Sequence, residues 1–328
     1  MPAAERLSTA LVSSQPVSPG SPPPGARDVD PDELRWSPLR VIGRFAAASN
    51  ATLLAEVEST APASVQPTGS TLTTTEDSAR RPPGRRGGTS RLDAPADGLI
   101  RVVYKPTRGT RALWDFEAPS LARHEVAAYQ LAAGAAAILG EEPLVPLTVM
   151  REAGPFGEGA VQLFMDVDEE VDMVDIFGVN AMPDVGWLVV FGAEDRAGND
   201  LVVAHADVDR LRRMAVLDEV INNADRKGQH VLTLTDGRIV GIDHGLCFHV
   251  DDKLRTVLWG YAGEPLEAGD VAFLDALDET VSGDRTELAA LLSGDEYEAL
   301  LLRLATARLR GTFADPPDDR HPIPWPPL

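Results

Sequence analysis

Two aspartates, Asp225 and Asp243, stand 18 residues apart with one short hairpin pattern between them, and no other feature of this 328-residue chain constrains its fold as strongly. Upstream runs HADVDRLRRMAVLDEVINN (205–223), where Leu211, Met214, Leu217 and Ile221 recur at helical spacing. The polar segment Asn222-Asn223-Ala224-Asp225-Arg226-Lys227-Gly228-Gln229-His230 follows directly. Two strand patterns come next, HVLTLTD (230–236) and RIVGIDH (238–244), around an Asp236-Gly237 turn. A hairpin returns the chain to where it left, so an acid at each open end can share one cleft. Helix, polar loop, hairpin and second acid are therefore expected in that order, with Gly245 easing the backbone turn after Asp243.

The first half is strand-rich. LRVIGRF (39–45) leads through the small-residue stretch AAASN (46–50) into ATLLAEVE (51–58), and GLIRVVYKP (98–106) adds a third strand. A helix is predicted over 120–139, then strands over 144–152 and 159–168 around AGPFGEG. The second half reads as mostly helical, with further helices at about 265–281 and 284–310. Residues 1–31 are crowded with Pro, Ser and Gly, and 59–96 with Ser, Thr, Pro, Gly and Arg. Both read as disordered, the second as an insertion between strands. Its Arg80, Arg81, Arg85, Arg86 and Arg91 offer contacts to an acidic partner, against the plainer reading of a solvated linker.

Charge narrows the partners. The net charge is −21 and the pI about 4.6. Residues 1–164 hold 18 acidic and 16 basic side chains, and residues 165–328 hold 33 and 14. Nucleic acid and anionic membranes both need a basic footprint, so neither is expected as a partner. Cys247 is the one cysteine, which excludes a disulfide framework and multi-cysteine metal sites. No apolar run is long enough to span a membrane, and the N-terminus makes a poor signal peptide. A reducing cytoplasmic setting is expected. Three lysines among thirty basic residues suggest a GC-rich, actinobacterial genome. The oligomeric state is left open.

Phosphoryl transfer requires neutralised phosphates, a held metal and an oriented hydroxyl. Each need has a candidate in the chain. Lys105 ends the apolar strand IRVVYK and can reach phosphate, although an edge-strand Lys often serves only solubility. Glu125 shares a helical face with Leu121 and Tyr129, and a carboxylate there needs a partner such as Lys105. Its plainer reading is an exposed charge paired with Arg123 or His124. Asp225 is the candidate base, and Arg226 the candidate holder of its loop. Asp243 is the candidate metal ligand, with His230 placed to be a second. Ser49 and Asn50, after Gly43, could cover phosphates from a turn, and a simple hairpin turn explains them nearly as well.

At these residues the sequence resembles the phosphatidylinositol 3-/4-kinase-like superfamily, nearest to an actinobacterial family within it. The carrying run is VVYKP, RHEVAAYQLA, VLDEVINNADRKGQHVL and GIDHGLCF, and its first blocks are similar to type II phosphatidylinositol 4-kinases. The resemblance covers about 36–328 without the insertion. It implies an α+β, bilobal protein-kinase-like fold with a small β-rich N-lobe and a mostly helical C-lobe. The expected division is a disordered N-terminus over 1–31, an N-lobe over 32–163 carrying the 59–96 insertion, a C-lobe over 164–318 and a Pro-rich tail over 319–328. It also implies ATP and Mg²⁺ as cofactors, with Lys105 on phosphate, Glu125 as its partner, Asp225 as catalytic Asp and Asp243 on the metal. The segment 162–168 takes the place of the interlobe hinge, so Phe164 and Asp166 are expected near adenine. Two departures stand out. Lys227 replaces the usual His after Asp-Arg, and His230 occupies the usual Asn slot. His tolerates Mn²⁺ well, so Mn²⁺ is an alternative metal. The expected activity is ATP-dependent transfer of the γ-phosphate to a hydroxyl of a small molecule, lipid headgroup or protein. The alternatives are a nucleotide-binding pseudokinase scaffold and an enzyme that transfers AMP.

Overall fold

The computed structural model describes residues 29–45, 51–59, 98–109, 115–116, 118–283 and 286–328. The fold is mixed α/β, β-rich toward the N-terminus and helical later. The expectations for 1–28 and 60–96, for the AAASN turn with Ser49 and Asn50, and for the arginines of the insertion lie outside the described residues.

Helix α1 (Pro31–Trp36) opens on a proline, whose missing N–H costs nothing at a first helical position. The guanidinium of Arg151 holds its end by donating to Leu34 O and Ser37 O at 2.9 and 2.8 Å. Strands β1 (Leu39–Arg44), β2 (Leu53–Glu58), β3 (Leu99–Pro106), β4 (Thr148–Arg151) and β5 (Gly159–Leu163) form an antiparallel sheet in the order β1-β2-β3-β5-β4. Between β2 and β3 the sheet closes tightly. Glu58 faces Leu99, and Ser59 N donates to Gly98 O at 2.8 Å. Helix α2 (Ala118–Leu139) packs on this sheet through Ala122 and Val126 against Ala160, and turns Ala127, Ala128, Ala132 and Ala135 into the core shared with the later helices. Small residues let it approach α4 (Ala268–Ser282) closely. A Cβ on Gly134 would lie 2.3 Å from the Thr280 methyl.

The later half holds the expected helices and, in addition, a sheet that the sequence reading did not place. Strands β6 (Val174–Gly178), β7 (Trp187–Glu194) and β8 (Asp200–Ala206) form a second antiparallel sheet in the order β6-β8-β7. The helix expected over 205–223 is therefore shorter. His205 and Ala206 belong to β8, and α3 spans Asp209–Val220. Val202 and Val203 explain the difference, because β-branched residues suit a pleated strand and pair here with β6 and β7. The turn before β8 is set by Asp195, whose carboxylate accepts from the amides of Ala197 and Asn199.

The short hairpin appears as β9 (Val231–Thr233) and β10 (Ile239–Gly241). The helix expected over 284–310 is two, α5 (Thr286–Leu291) and α6 (Gly294–Arg310). They part where Ser293 caps α6 in a reciprocal pair with Glu296. A single apolar core joins α2, α3, α4 and α6 through Leu131, Leu217, Leu274 and Leu300, all buried. No helix among the described residues is long and apolar enough to cross a membrane.

Candidate functional site

Strand alternation places Lys105. Ile100, Val102 and Tyr104 are buried on one face of β3, which turns Lys105 to the other. There its ammonium bridges two acids. Nζ donates to the Glu125 carboxylate, and to Asp243 Oδ1 at 2.9 Å. Burial pulls the Lys105 pKa down, but the carboxylates of Asp243 and Glu125 outweigh it and the net shift is upward. Glu125 is 3% exposed on α2, and its second oxygen accepts from His244 N at 3.1 Å. Burial raises its pKa against the pull of Lys105.

Asp243 sits just after β10 with φ +61°, a left-handed conformation uncommon outside glycine. The positive φ thus falls on Asp243 itself, not on Gly245 as the sequence suggested. A Cβ on Gly245 would meet Glu125 Oε1 at 3.4 Å, an ordinary contact, so crowding does not require glycine there. The Asp243 carboxyl is held low, first by the Lys105 charge.

Asp225 lies across the same region. Its Oδ2 accepts from Lys227 Nζ at 2.8 Å, and its backbone N donates to Asn223 Oδ1 at 3.0 Å. Burial raises its pKa while Lys227 draws it back. Arg226 is fully buried and organises the loop. It clasps Asp218 with two bonds of 2.8 Å, from Nε and Nη2. Its Nη1 donates to His230 O and Ile242 O, both at 3.1 Å, which joins the start and end of the hairpin. Its Nη2 also donates to His244 Nε2 at 2.8 Å. Gly241 admits this guanidinium, since a Cβ there would lie 3.1 Å from Nη2.

His230 completes the group. Its Nδ1 lies 2.9 Å from Asp225 O, a pure acceptor, so Nδ1 carries the proton. Burial pushes its pKa down to about 4, so the ring is neutral near pH 7. Its Nε2 is then a bare lone pair 3.4 Å from Asp243 Oδ2.

Lys105, Glu125, Asp225, Arg226, His230 and Asp243 are thus brought together. Ser49 and Asn50 lie outside the described residues. Phe164 and Asp166 lie just beyond β5, where Phe164 N donates to Arg101 O and Asp166 O accepts from Thr235 N, both at 3.0 Å. Asp218 was not singled out in the sequence. Its signal was an acid four residues after Met214, within the apolar stripe of α3. Among the described residues, no group of three or more His, Cys, Asp or Glu is gathered as a metal site by itself.

No family model matches the chain. Protein Rv2133c of Mycobacterium tuberculosis (strain ATCC 25618 / H37Rv) is 39% identical over 310 residues, covering 92% of this chain and 96% of that protein. Phosphatidylinositol 4-kinase gamma 3 of Arabidopsis thaliana is 28% identical over 102 residues, and phosphatidylinositol 4-kinase gamma 4 of Oryza sativa subsp. japonica is 29% identical over 101. Each of these plant matches covers 29% of this chain and 18% of the kinase.

Proposed function

The chain belongs to the family of protein Rv2133c, and on that premise we propose that it is an ATP-dependent phosphotransferase with a bilobal kinase-like arrangement and its nucleotide between the lobes. One observation carries the reading. Lys105 joins Glu125 to Asp243, which lies 138 positions after it at the hairpin end, beside an Asp225 whose loop is locked by Arg226. The partial likeness to two plant phosphatidylinositol 4-kinases supports it.

In this reading Lys105 moves from Asp243 to the α/β-phosphates while Glu125 keeps it oriented. Asp225 aligns the acceptor hydroxyl and takes its proton as the new P–O bond forms and the bond to the leaving β-phosphate oxygen breaks. Its raised pKa favours that uptake. Asp243 and His230 would hold Mg²⁺, or Mn²⁺. The donor set fits, because two lone-pair groups face each other at 3.4 Å with Nδ1 already committed to Asp225 O. When bound, the metal neutralises charge on the β- and γ-phosphates. Phe164 N and Asp166 O are engaged within the chain, so adenine would be read by other groups of 162–168. The acceptor is a hydroxyl of a small molecule, lipid headgroup or protein, and the setting is cytoplasmic.

A nucleotide-binding pseudokinase is the second reading. It is favoured by the lysine contacts that occupy both acids, Lys105 on Asp243 and Lys227 on Asp225. The test is ATP-induced thermal stabilisation and ATP turnover with Mg²⁺ or Mn²⁺, wild type beside Asp225→Ala and Asp243→Ala. The kinase reading expects metal-dependent stabilisation, turnover lost in Asp225→Ala, and both lost in Asp243→Ala. Stabilisation without turnover across hydroxyl acceptors selects the pseudokinase. No stabilisation with either metal overturns both.

A further inference from the structure

The chain has three lysines, and two of them, Lys105 and Lys227, stand at opposite ends of one row of contacts. Lys105 Nζ donates to Asp243 Oδ1 at 2.9 Å, and Asp243 Oδ2 lies 3.4 Å from His230 Nε2. His230 Nδ1 donates to Asp225 O at 2.9 Å, and Asp225 Oδ2 accepts from Lys227 Nζ at 2.8 Å. The third, Lys253, pairs with Asp115 instead. The Lys227 side chain is only 13% exposed, too withdrawn for a lysine that serves solubility. Its backbone is fixed from both sides. Lys227 O accepts from His230 N at 3.0 Å, and Gly228 N donates to Pro327 O at 2.8 Å.

A phosphoryl group delivered to a hydroxyl on Asp225 brings negative charge up to a carboxylate, and like charges in contact repel. Lys105 does not offset this, because the phosphotransferase reading places it on the α/β-phosphates at the other end of the row. Lys227 is on the spot. An ammonium has three N–H donors, and Lys227 spends one of them on Asp225 Oδ2. The other two are available to phosphoryl oxygens, with which a charged donor makes its stronger bonds. Asp225 keeps Oδ1 for the acceptor hydroxyl.

We propose that Lys227 is a second catalytic lysine, which binds the γ-phosphoryl group beside Asp225 and stabilises it through transfer. The inference rests on the phosphotransferase reading and adds to it the group that meets the transferred phosphate. As the hydroxyl oxygen bonds to the γ-phosphorus, its proton passes to Asp225, and the electron pair of the broken bond stays on the β-phosphate oxygen of ADP. Asp225 is then neutral. Lys227 remains an ammonium throughout, and its charge, no longer shared with a carboxylate, acts on the transferring group as the charge there redistributes.

ADP and the non-hydrolysable ATP analogue AMP-PNP are the probes, titrated calorimetrically with Mg²⁺ into the full chain, so neither turnover nor an acceptor is needed. Lys227→Gln should weaken AMP-PNP about tenfold or more and ADP less than about twofold, the unchanged ADP affinity showing that the fold is intact. Lys105→Met should weaken both nucleotides. Lys227→Arg keeps the charge and should recover most of the AMP-PNP affinity. Loss of Lys227 also unmasks the Asp225 carboxylate, so Lys227→Gln is repeated on an Asp225→Asn background, where AMP-PNP should still weaken relative to Asp225→Asn alone. Unchanged AMP-PNP affinity in Lys227→Gln, equal losses for the two nucleotides, or no loss on the Asp225→Asn background overturns the proposal and leaves the nucleotide site standing. Wild-type chain that binds neither nucleotide overturns the phosphotransferase reading itself, and the proposal with it.

Discussion

Arg226 and Asp218 show how much one buried pair can hold. Both side chains are fully buried, and the guanidinium also bonds to both ends of the hairpin and to His244. Removing Asp218 leaves an uncompensated buried charge, which costs about 3–5 kcal/mol. Asp218→Ala should lose that much in urea unfolding, and Arg226→Lys should fail to restore the two-pronged clasp. A loss below about 1 kcal/mol would contradict this role. His230 makes a separate prediction. Its folded pKa of about 4 lies below the unfolded value of roughly 6.5. The folded state therefore favours the neutral ring, and this contribution is complete above about pH 6.5 and lost as pH falls toward 4. His205 and His244 shift in the same direction, so the readout is a difference. In metal-free buffer, His230→Asn should show a shallower loss of stability than wild type between pH 6.5 and 4. An identical slope would refute the assignment.

At the scale of elements, Lys105 depends on how β5 meets β3. Gly159 faces Pro106 across that pair, and a Cβ there would come within 2.4 Å of Lys105 O and 2.6 Å of Pro106 Cα. Backbone cannot swing aside as a side-chain tip can. Gly159→Ala should cost about 1–3 kcal/mol by overpacking. It should also lower the affinity for ATP if Lys105 binds phosphate. Wild-type stability in that variant would mean that β5 can slide. The polar loop has a second support in the C-terminal segment. Gly228 N donates to Pro327 O at 2.8 Å, and Trp259 Nε1 donates to Pro322 O at 2.8 Å. The β6-β8-β7 sheet was the element least legible in the sequence. Its strands follow one another through polar turns, and the apolar rhythm of α3 runs back into β8 without a break. Pairing with two neighbours decided those residues, and pairing is not a local property.

For the whole molecule, the segment 60–97 offers a direct test. Its flanks are joined already, Glu58 opposite Leu99 and Ser59 N on Gly98 O. Replacing it with a four-residue turn shortens the closed loop about tenfold, worth up to roughly 2 kcal/mol in closure entropy. The melting temperature should stay level or rise, and any ATP-dependent stabilisation should persist. A fall of more than about 5 °C would mean that the segment packs on the fold. The sequence by itself determined the strand-rich start, helix α2, the hairpin between Asp225 and Asp243, and the residue types that make a phosphate-handling group plausible. Those follow from periodicity and turn chemistry, which act over a few residues. Only the tertiary structure decided that Lys105 spans Glu125 and Asp243, that Asp218 is the partner of Arg226, and that the bare nitrogen of His230 faces Asp243. The reason is that each of those contacts is made by side chains on different elements. Their distance is set by how α2, the first sheet and the hairpin pack together, not by spacing along the chain.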